Sequence, residues 1–175
     1  MFIEVHWPTP RRPDSQTPRL LDSQTGQLLM PLIRVSAGII IQGSRLLICQ
    51  RRSQDLHALQ WEFPGGKAND AEDDAACLQR ELSEELQINA IVGEQLHQTT
   101  HHYPSGRSVA LTFFHVPRYM GEIVNTQFHS LVWAEPTQLL KYDFLEGDLD
   151  FVARLARGDW SFLFSPNPQS PIPNP

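Results

Sequence analysis

The chain has 175 residues, of which 41% are hydrophobic and 19% are charged, and its formal net charge at pH 7 is −6. This length suits one buried core and is short for two ordinary domains. The acidic balance disfavours binding to a nucleic-acid polymer, and no apolar run approaches the roughly 18 residues that span a bilayer.

Two further features of the whole chain indicate a cytoplasmic protein. The first residues, Met1 onward, lack the basic and apolar regions of a signal peptide and are followed by Pro-rich, polar sequence. The only cysteines, Cys49 and Cys77, fall in apolar runs, so we expect buried thiols in a reducing compartment. A catalytic cysteine is the alternative, but neither residue has a nearby histidine on a recognisable elbow.

The two ends of the chain read as irregular. Residues 1–32 are rich in Pro, Ser, Thr and Gln, and we interpret them as an N-terminal extension with one short edge strand at residues 2–6. Five prolines between residues 166 and 175 exclude helix and central strand, so residues 161–175 are predicted to be a Pro-rich C-terminal tail. Residues 33–160 remain as the ordered domain.

The first half of this domain predicts a hairpin, a loop and a helix. Residues 34–42 and 45–51 read as strands around the turn Gly43-Ser44. Residues 53–70 read as a long loop. Residues 71–86 read as a helix, because apolar side chains recur at steps of three and four, at Ala75, Leu78, Leu82 and Leu86.

The second half adds strands and short helices. Residues 91–102 and 107–116 read as strands joined by a Pro-Ser-Gly turn, and residues 130–134 as a shorter strand. Residues 136–140 and 148–157 read as helices, the second ending before Gly158. Several strands with few helices predict an α+β fold, an α/β/α sandwich with a mixed sheet.

Three glutamates form the most informative cluster. Glu81, Glu84 and Glu85 stand at i, i+3 and i+4, so they project from one side of the predicted helix. Like charges at this spacing repel each other, and Mg²⁺, which favours carboxylate oxygens, would relieve that repulsion. A simple charged helix surface is the alternative for an isolated cluster of this kind.

The residues around this cluster resemble the Nudix box, G-x5-E-x7-R-E-U-x-E-E-x-G-U, where U is aliphatic. The matching positions are Gly66, Glu72, Arg80, Glu81, Leu82, Glu84, Glu85 and Ile88. Gln87 departs from the pattern, because the family usually has glycine there. That glycine is best explained as a helix C-terminal residue with positive φ, so Gln87 either pays about 1 kcal/mol to keep this φ or ends the helix differently.

The resemblance implies a Nudix fold, in which this segment forms a loop–helix–loop on the sandwich. It implies that Glu81, Glu84 and Glu85 ligate Mg²⁺, with Mn²⁺ as a substitute, and that Gly65 lends a backbone carbonyl. It also implies that Arg80 and Glu72 orient the carboxylates. These five charged residues are the predicted catalytic set.

The run Gln50-Arg51-Arg52, then His57, then Trp-Glu-Phe-Pro-Gly-Gly-Lys at residues 61–67, is similar to the MutT-like branch. That similarity implies hydrolysis of a nucleoside triphosphate, often an oxidised one such as 8-oxo-dGTP, to the monophosphate and pyrophosphate. It also implies a substrate-binding set that consists of Arg52, His57, Phe63, Lys67, Arg107 and Asp148.

Within this set, Arg52 and Lys67 are predicted to contact phosphate, Arg107 to lie near the base and Asp148 to read it. Each has a plainer alternative: a solvated strand-end cation for Arg52, a hairpin-tip charge for Arg107, a helix N-cap for Asp148 and core packing for Phe63. Asp148 leaves the identity of the base open, because ionised and protonated carboxyl groups recognise different edges.

Other interpretations also stay open. Gln127, Phe128 and His129 stand where many MutT-like enzymes carry a further glutamate, so a second metal site is weakened or uses His129. The substrate could instead be ADP-ribose or a dinucleoside polyphosphate, and a non-catalytic Nudix-fold nucleotide-binding module is the alternative from another class. The sequence does not decide between a monomer and a homodimer.

Overall fold

The computed structural model describes residues 20–21, 28–29, 32–104 and 106–164. The predicted strand at residues 2–6 and most of the predicted tail, residues 165–175, lie outside these. Strands β1 (Leu20–Leu21) and β2 (Leu28–Leu29) pair with each other in an antiparallel ladder. A second compact unit begins at Leu32 and contains all the remaining elements.

A mixed sheet forms the middle of this second unit. Its strands are β3 (Leu32–Gln42), β4 (Arg45–Gln50), β5 (Trp61–Glu62), β6 (Gly65–Lys67), β8 (Gln95–His102), β9 (Ser108–Val116) and β11 (Ser130–Ala134). The main path runs β11-β4-β3-β9-β8, and β5 and β6 pair with β4 and β3. Only β3 and β9 are parallel among these described pairs. A separate antiparallel pair joins β7 (Asn89–Ile91) to β10 (Arg118–Met120).

Each face of the sheet packs on one α-helix because successive strand residues point to opposite faces. Ile40 belongs to the core cluster that holds Leu78, Leu82 and Leu86 of helix α1 (Asp74–Leu86). Its neighbour Ile39 belongs to the cluster that holds Phe151, Val152 and Leu155 of helix α2 (Leu149–Arg157). The predicted α+β fold, an α/β/α sandwich with a mixed sheet, is therefore confirmed.

The structure confirms the predicted hairpin and the strands predicted at residues 107–116 and 130–134. The ends of these strands differ from the predicted ends by at most two residues. The helix predicted from residue 71 begins later, at Asp74, because the Asp73 carboxylate accepts bonds from the backbone N–H groups of Ala75 and Ala76 at 2.9 and 3.3 Å and caps it. The segment predicted as the helix 136–140 is a 3₁₀ helix, Pro136–Lys141.

Two predicted segments were wrong in detail. The single strand at 91–102 is interrupted, because the backbone N–H of Gly93 donates to the His115 carbonyl at 2.8 Å and turns the chain between β7 and β8. The loop at 53–70 contains β5 and β6, which form by pairing with distant strands. Within the described residues, no helix has the length and apolar character that crossing a membrane requires.

Candidate active site

A cavity of about 430 Å³ opens beside the sheet and gathers residues from distant parts of the chain. β3 and the β5–β6 segment contribute one side, the turn between β8 and β9 contributes Tyr103 and Arg107, and the short 3₁₀ helix Glu146–Asp148 contributes Gly147 and Asp148. Of the residues predicted for the site, the lining includes His57, Phe63, Gly65, Lys67, Glu85, Arg107 and Asp148.

Two glycines bring the chain close to this cavity. A Cβ on Gly65 would lie 2.1 Å from the backbone oxygen of Ser36, and its φ of 143° is disfavoured for other residues. A Cβ on Gly66 would lie 2.5 Å from the carboxylate carbon of Glu81. The double glycine therefore allows β6 to pack against both β3 and an acidic side chain of α1.

Arg80 joins the two ends of the Nudix-box segment. Its Nε and Nη2 donate to the two carboxylate oxygens of Glu72 at 2.9 and 3.0 Å, and its Nη1 donates to Glu81 Oε1 at 2.6 Å. The hydrogen bond from Arg80, with a second from the Asn69 backbone N–H, lowers the pKa of Glu72 to about 2. Glu72 and Arg80 thus have the contacts expected of residues that orient Glu81.

Glu85 is the box carboxylate that lines the cavity. Burial raises its pKa to about 9; the backbone N–H of Gly65, which donates at 3.0 Å, opposes this rise, and the nearby charges of Glu81 and Glu62 add to it. The positive charge of Arg51 lowers the pKa of Glu85 but does not offset the effect of burial. A bound cation would supply further positive charge.

Glu84 stands apart from the other two box carboxylates. Its side chain is 46% exposed and its carboxylate lies 3.6 Å from Arg80 Nη1. Across the described residues, no three His, Cys, Asp or Glu side chains stand close enough together to hold a metal ion. The groups available near the cavity for a hard cation are Glu81 and Glu85, on either side of the Gly65-Gly66 backbone.

Asp148 is the most deeply buried charged residue of the cavity. It is 3% exposed, and burial, with a contribution from Glu62, raises its pKa well above the usual range. It occupies the position before α2, but its side chain makes no capping hydrogen bond. The N-cap role considered for Asp148 is therefore absent, and its carboxyl group faces the cavity without a hydrogen-bond partner from the described residues.

Phe63 packs in the core and also lines the cavity. It is 4% exposed and its ring packs within 6 Å of three core aromatic rings, those of Phe113, Phe144 and Phe151. It also lies among the residues that line the cavity. The cavity and the core therefore share this side chain.

The remaining predicted binding residues are divided between the cavity and its surroundings. His57, Lys67 and Arg107 line it. Arg52 does not, because its Nη2 donates to the Thr126 carbonyl at 2.5 Å. The Thr126 hydroxyl in turn donates to the carbonyl oxygens of Glu84 and Glu85 at 2.7 and 2.8 Å, so Arg52 and Thr126 tie the loop after β10 to the end of α1.

The sequence interpretation missed an ion pair at the cavity. Arg51 Nη1 donates to both carboxylate oxygens of Glu62 at 3.0 and 2.8 Å, and its Nε donates to the Leu56 carbonyl at 2.8 Å. Both side chains line the cavity, as does Tyr103. The sequence did carry one signal that could have identified this pair: Glu62 is an acidic residue between the aromatic residues Trp61 and Phe63.

Comparison with known proteins identifies the family. A NUDIX domain model matches residues 32–155. The chain is 38% identical over 122 residues to the CTP pyrophosphohydrolase of Escherichia coli K12, which covers 69% of this chain and 88% of that protein. It is 29% identical over 133 residues to the 8-oxo-dGTP diphosphatase of Haemophilus influenzae, covering 75% and 97%.

A solved structure agrees with these matches. The solution structure of the E. coli ORF135 protein superimposes with a TM-score of 0.67 at 33% identity, covering 81% of this chain and 96% of that one. Together with the box geometry described above, these similarities show that the chain belongs to the Nudix hydrolase family and is a MutT-like pyrophosphohydrolase.

Proposed function

We propose that this enzyme hydrolyses a nucleoside triphosphate to the monophosphate and pyrophosphate in a Mg²⁺-dependent reaction. The observation that carries the proposal is that one cavity is lined by the box carboxylate Glu85, by the cations Lys67 and Arg107, and by the buried acid Asp148. Its volume of about 430 Å³ lies in the range usual for small-molecule sites. Acidic, cationic and base-reading groups are therefore available to a single nucleotide.

The residues around Gly65 can present oxygen ligands to a divalent cation, because Glu85 is desolvated and Glu81, held by Arg80, lies beside Gly66. We propose these two carboxylates as metal ligands, with the Gly65 carbonyl and with Glu84, which would have to turn from its position beside Arg80 to complete the set, and Mn²⁺ as a substitute. When bound, Mg²⁺ neutralises phosphate oxygens and lowers the pKa of the attacking water.

The residues of this chain would share the other tasks. In the proposed step the water oxygen bonds to the β-phosphorus, the bond to the α,β-bridging oxygen breaks, and a box carboxylate accepts the water proton. Arg80 holds Glu81 in place throughout. Lys67 and Arg107 carry no ion-pair partner in the part of the chain described and would bind phosphate oxygens of the substrate and of the departing product.

Asp148 is the residue that we propose to read the base. Burial raises the pKa of Asp148 and so favours its neutral form, which offers one O–H donor and one acceptor. That pair complements the ring nitrogen and amino group of cytosine or adenine. 8-Oxo-guanine offers a donor and acceptor pair as well, at its N7–H and O6, so a neutral Asp148 could bind either base. We propose a cytosine nucleotide first because of the name of the E. coli relative.

Hydrolysis of 8-oxo-dGTP, the activity named for the H. influenzae relative, is the second candidate. Either activity would serve to clear modified or surplus nucleotides from the pool and so limit DNA damage. We propose that this occurs in the cytoplasm on free nucleotides, which the two buried free thiols and the net charge of −6 support. We also propose residues 33–160 as the catalytic domain.

A substrate panel tests the proposal. Purified full-length enzyme is assayed with Mg²⁺, with Mn²⁺ and with EDTA against CTP, dCTP, 5-methyl-dCTP, ATP, 8-oxo-dGTP, ADP-ribose and diadenosine tetraphosphate. We expect pyrophosphate from cytosine triphosphates, and no product in EDTA. Turnover of ADP-ribose or of the dinucleotide alone would replace the proposed substrate class, and turnover of none would indicate a binding module.

A further inference from the structure

Arg34 on β3 lies outside the Nudix box, yet it holds the loop that carries Glu72. Its Nε donates to Asp74 Oδ1 at 3.0 Å, and its Nη2 donates to the Glu72 carbonyl oxygen at 2.6 Å and also to Asp74 Oδ1. Its own carbonyl accepts from the Ala68 backbone N–H at 3.0 Å. Arg34 therefore contacts both ends of the segment 68–74, which we call the box loop.

The box loop contains a turn that is unfavourable by itself. Ala71 has a φ of 61°, a left-handed conformation that a side-chain Cβ disfavours. The turn is closed by the Glu72 backbone N–H, which donates to the Asn69 carbonyl at 3.1 Å. Glu72 directly follows Ala71 in the chain. The hydrogen bond from Arg34 to the Glu72 carbonyl therefore holds the residue next to the strained one.

The same bond connects the sheet to the carboxylate network. Glu72 binds Arg80 through both carboxylate oxygens, and Arg80 binds Glu81. On the other side, Asp74 Oδ2 accepts from the Thr112 hydroxyl at 3.3 Å, and this buried hydroxyl accepts from Gln98 Nε2 at 3.2 Å. A continuous series of polar contacts thus runs from β8 and β9 through Asp74 and Arg34 to the box.

We propose that Arg34 is a positioning residue for catalysis, which fixes the strained box loop so that Glu72 presents its carboxylate to Arg80. Arg34 does not line the cavity, so it acts through Glu72 and not on the substrate. The kinetic consequence rests on the proposed role of Glu81 as a metal ligand. The structural consequence, an ordered box loop, does not depend on that role.

Three variants and one control test the proposal. R34M removes the donors and keeps a long side chain, R34K keeps one donor, and R34M/A71G relieves the strained turn, because glycine adopts positive φ readily. R118M is the control, since Arg118 is an exposed strand arginine without an ion pair among the described residues. Steady-state kinetics use whichever triphosphate the wild-type enzyme hydrolyses, at saturating Mg²⁺.

We expect R34M to lower kcat by about 10- to 100-fold, the usual effect of removing a residue that orients metal ligands, with substrate KM within about threefold. R34K and R34M/A71G should each recover part of kcat, and R118M should resemble the wild type. The proposal would be overturned if the kcat of R34M lay within about twofold of the wild-type value, or if R34M changed only KM. It would also be overturned if neither R34K nor the added A71G substitution recovered any of the lost kcat.

Hydrogen exchange without nucleotide or metal gives a readout independent of activity. We expect the backbone amides of Ala68 and Glu72 to exchange about tenfold faster in R34M than in R118M, because their loop opens locally. Equal exchange in the two variants would contradict the role of Arg34 even if the enzyme had no triphosphatase activity. Failure of the substrate panel with faster exchange in R34M would instead count against the proposed function alone.

Discussion

The two acidic regions of this site use opposite electrostatic arrangements. In the box, Glu72 is held by a bidentate contact from Arg80 and its pKa falls to about 2. Near α2, Asp148 is 3% exposed, makes no side-chain hydrogen bond within the described residues, and has a raised pKa because of burial. The first arrangement favours the ionised form of a carboxylate, and the second favours the neutral form of a carboxyl group.

Glu85 stands between these two arrangements. Like Asp148 it is desolvated and its pKa is raised, yet it belongs to the box and accepts a bond from Gly65. The acids of one site can thus have separate tasks: Arg80 favours the ionised form of Glu72, which orients Glu81, whereas burial favours the neutral forms of Glu85, our proposed cation ligand, and of Asp148, our proposed base reader. The following substitutions test that division, in order of decreasing expected effect.

The largest effect is expected from E85Q. This change removes the proposed metal ligand from the cavity while keeping the shape of the side chain. We expect kcat to fall by about 1,000-fold or more, because both charge neutralisation and orientation of the water are lost. Stability should not fall, since burial already disfavours the charge. Steady-state kinetics and urea unfolding measure both, with E122Q, an exposed glutamate, as control.

Retained turnover in E85Q would remove Glu85 from the mechanism. If E85Q lost kcat and also unfolded more easily, the division between the two regions would have no support, because the glutamine would then have reduced activity by destabilising the fold.

The next effect concerns the contact between β6 and α1. G66A places a methyl group 2.5 Å from the Glu81 carboxylate carbon, so Glu81 must move away from its contact with Arg80. We expect kcat to fall by about 10- to 100-fold, in line with losses from displaced ligand contacts. G43A is the control for activity, because no atom lies within 4 Å of the added methyl; since the φ of 62° at Gly43 makes this variant less stable, both variants are assayed at a temperature at which they remain folded. Equal activity of the two variants would show that the position of Glu81 is unimportant.

A smaller effect is expected on the pH dependence of stability. The pKa of Asp148 is raised in the folded state, so above the ordinary pKa of 3.8 for an aspartate the native protein binds more protons than the unfolded chain. The free energy of unfolding should therefore decrease as pH rises from 3.8 towards the folded pKa, and D148N should lack this decrease. Urea unfolding of both proteins across this range measures the difference. Parallel pH profiles would indicate that Asp148 is not held neutral.

The smallest effect is expected at the end of α1. Gln87 has a left-handed conformation, with φ of 57°, at the position where the Nudix box usually has glycine. Q87G should therefore stabilise the protein by roughly 0.5–1 kcal/mol, whereas Q87A should not. Thermal unfolding of the pair tests this, and kcat should not change. Equal stability of Q87G and Q87A would mean that the helix ends without strain.

Much of the box region followed from the sequence, because its residues are close together along the chain. The spacing of Glu81 and Glu85 on one helix required only helical geometry, and the positive φ considered for Gln87 came from the resemblance to the Nudix box, which usually has glycine there. The start of α1 was placed three residues early, since Asp73 was not identified as the N-cap. A local pattern therefore predicted where these side chains lie on the helix.

The part of the cavity around Glu62 and Asp148 was less predictable, because tertiary pairing assembles it. β5 exists through its pairing with β4, which brings Glu62 to Arg51, and neither residue was singled out from the sequence. The sequence also could not distinguish a capping Asp148 from a buried one, since both roles favour aspartate before a helix. The resemblance to the MutT-like branch placed Phe63 and Asp148 in one substrate-binding set, but the residues between them carry no pattern that predicts a shared cavity.

The most direct test of the division between ionised and neutral acids is the ratio of kcat/KM for CTP to that for 8-oxo-dGTP, measured for wild type, D148N and D148L. Asparagine offers one donor group and one acceptor, as a neutral carboxyl group does. We predict that the wild type prefers CTP by about tenfold or more, that D148N retains this preference, and that D148L loses it. A preference for 8-oxo-dGTP that D148N abolishes would contradict the account, because it would require an ionised Asp148.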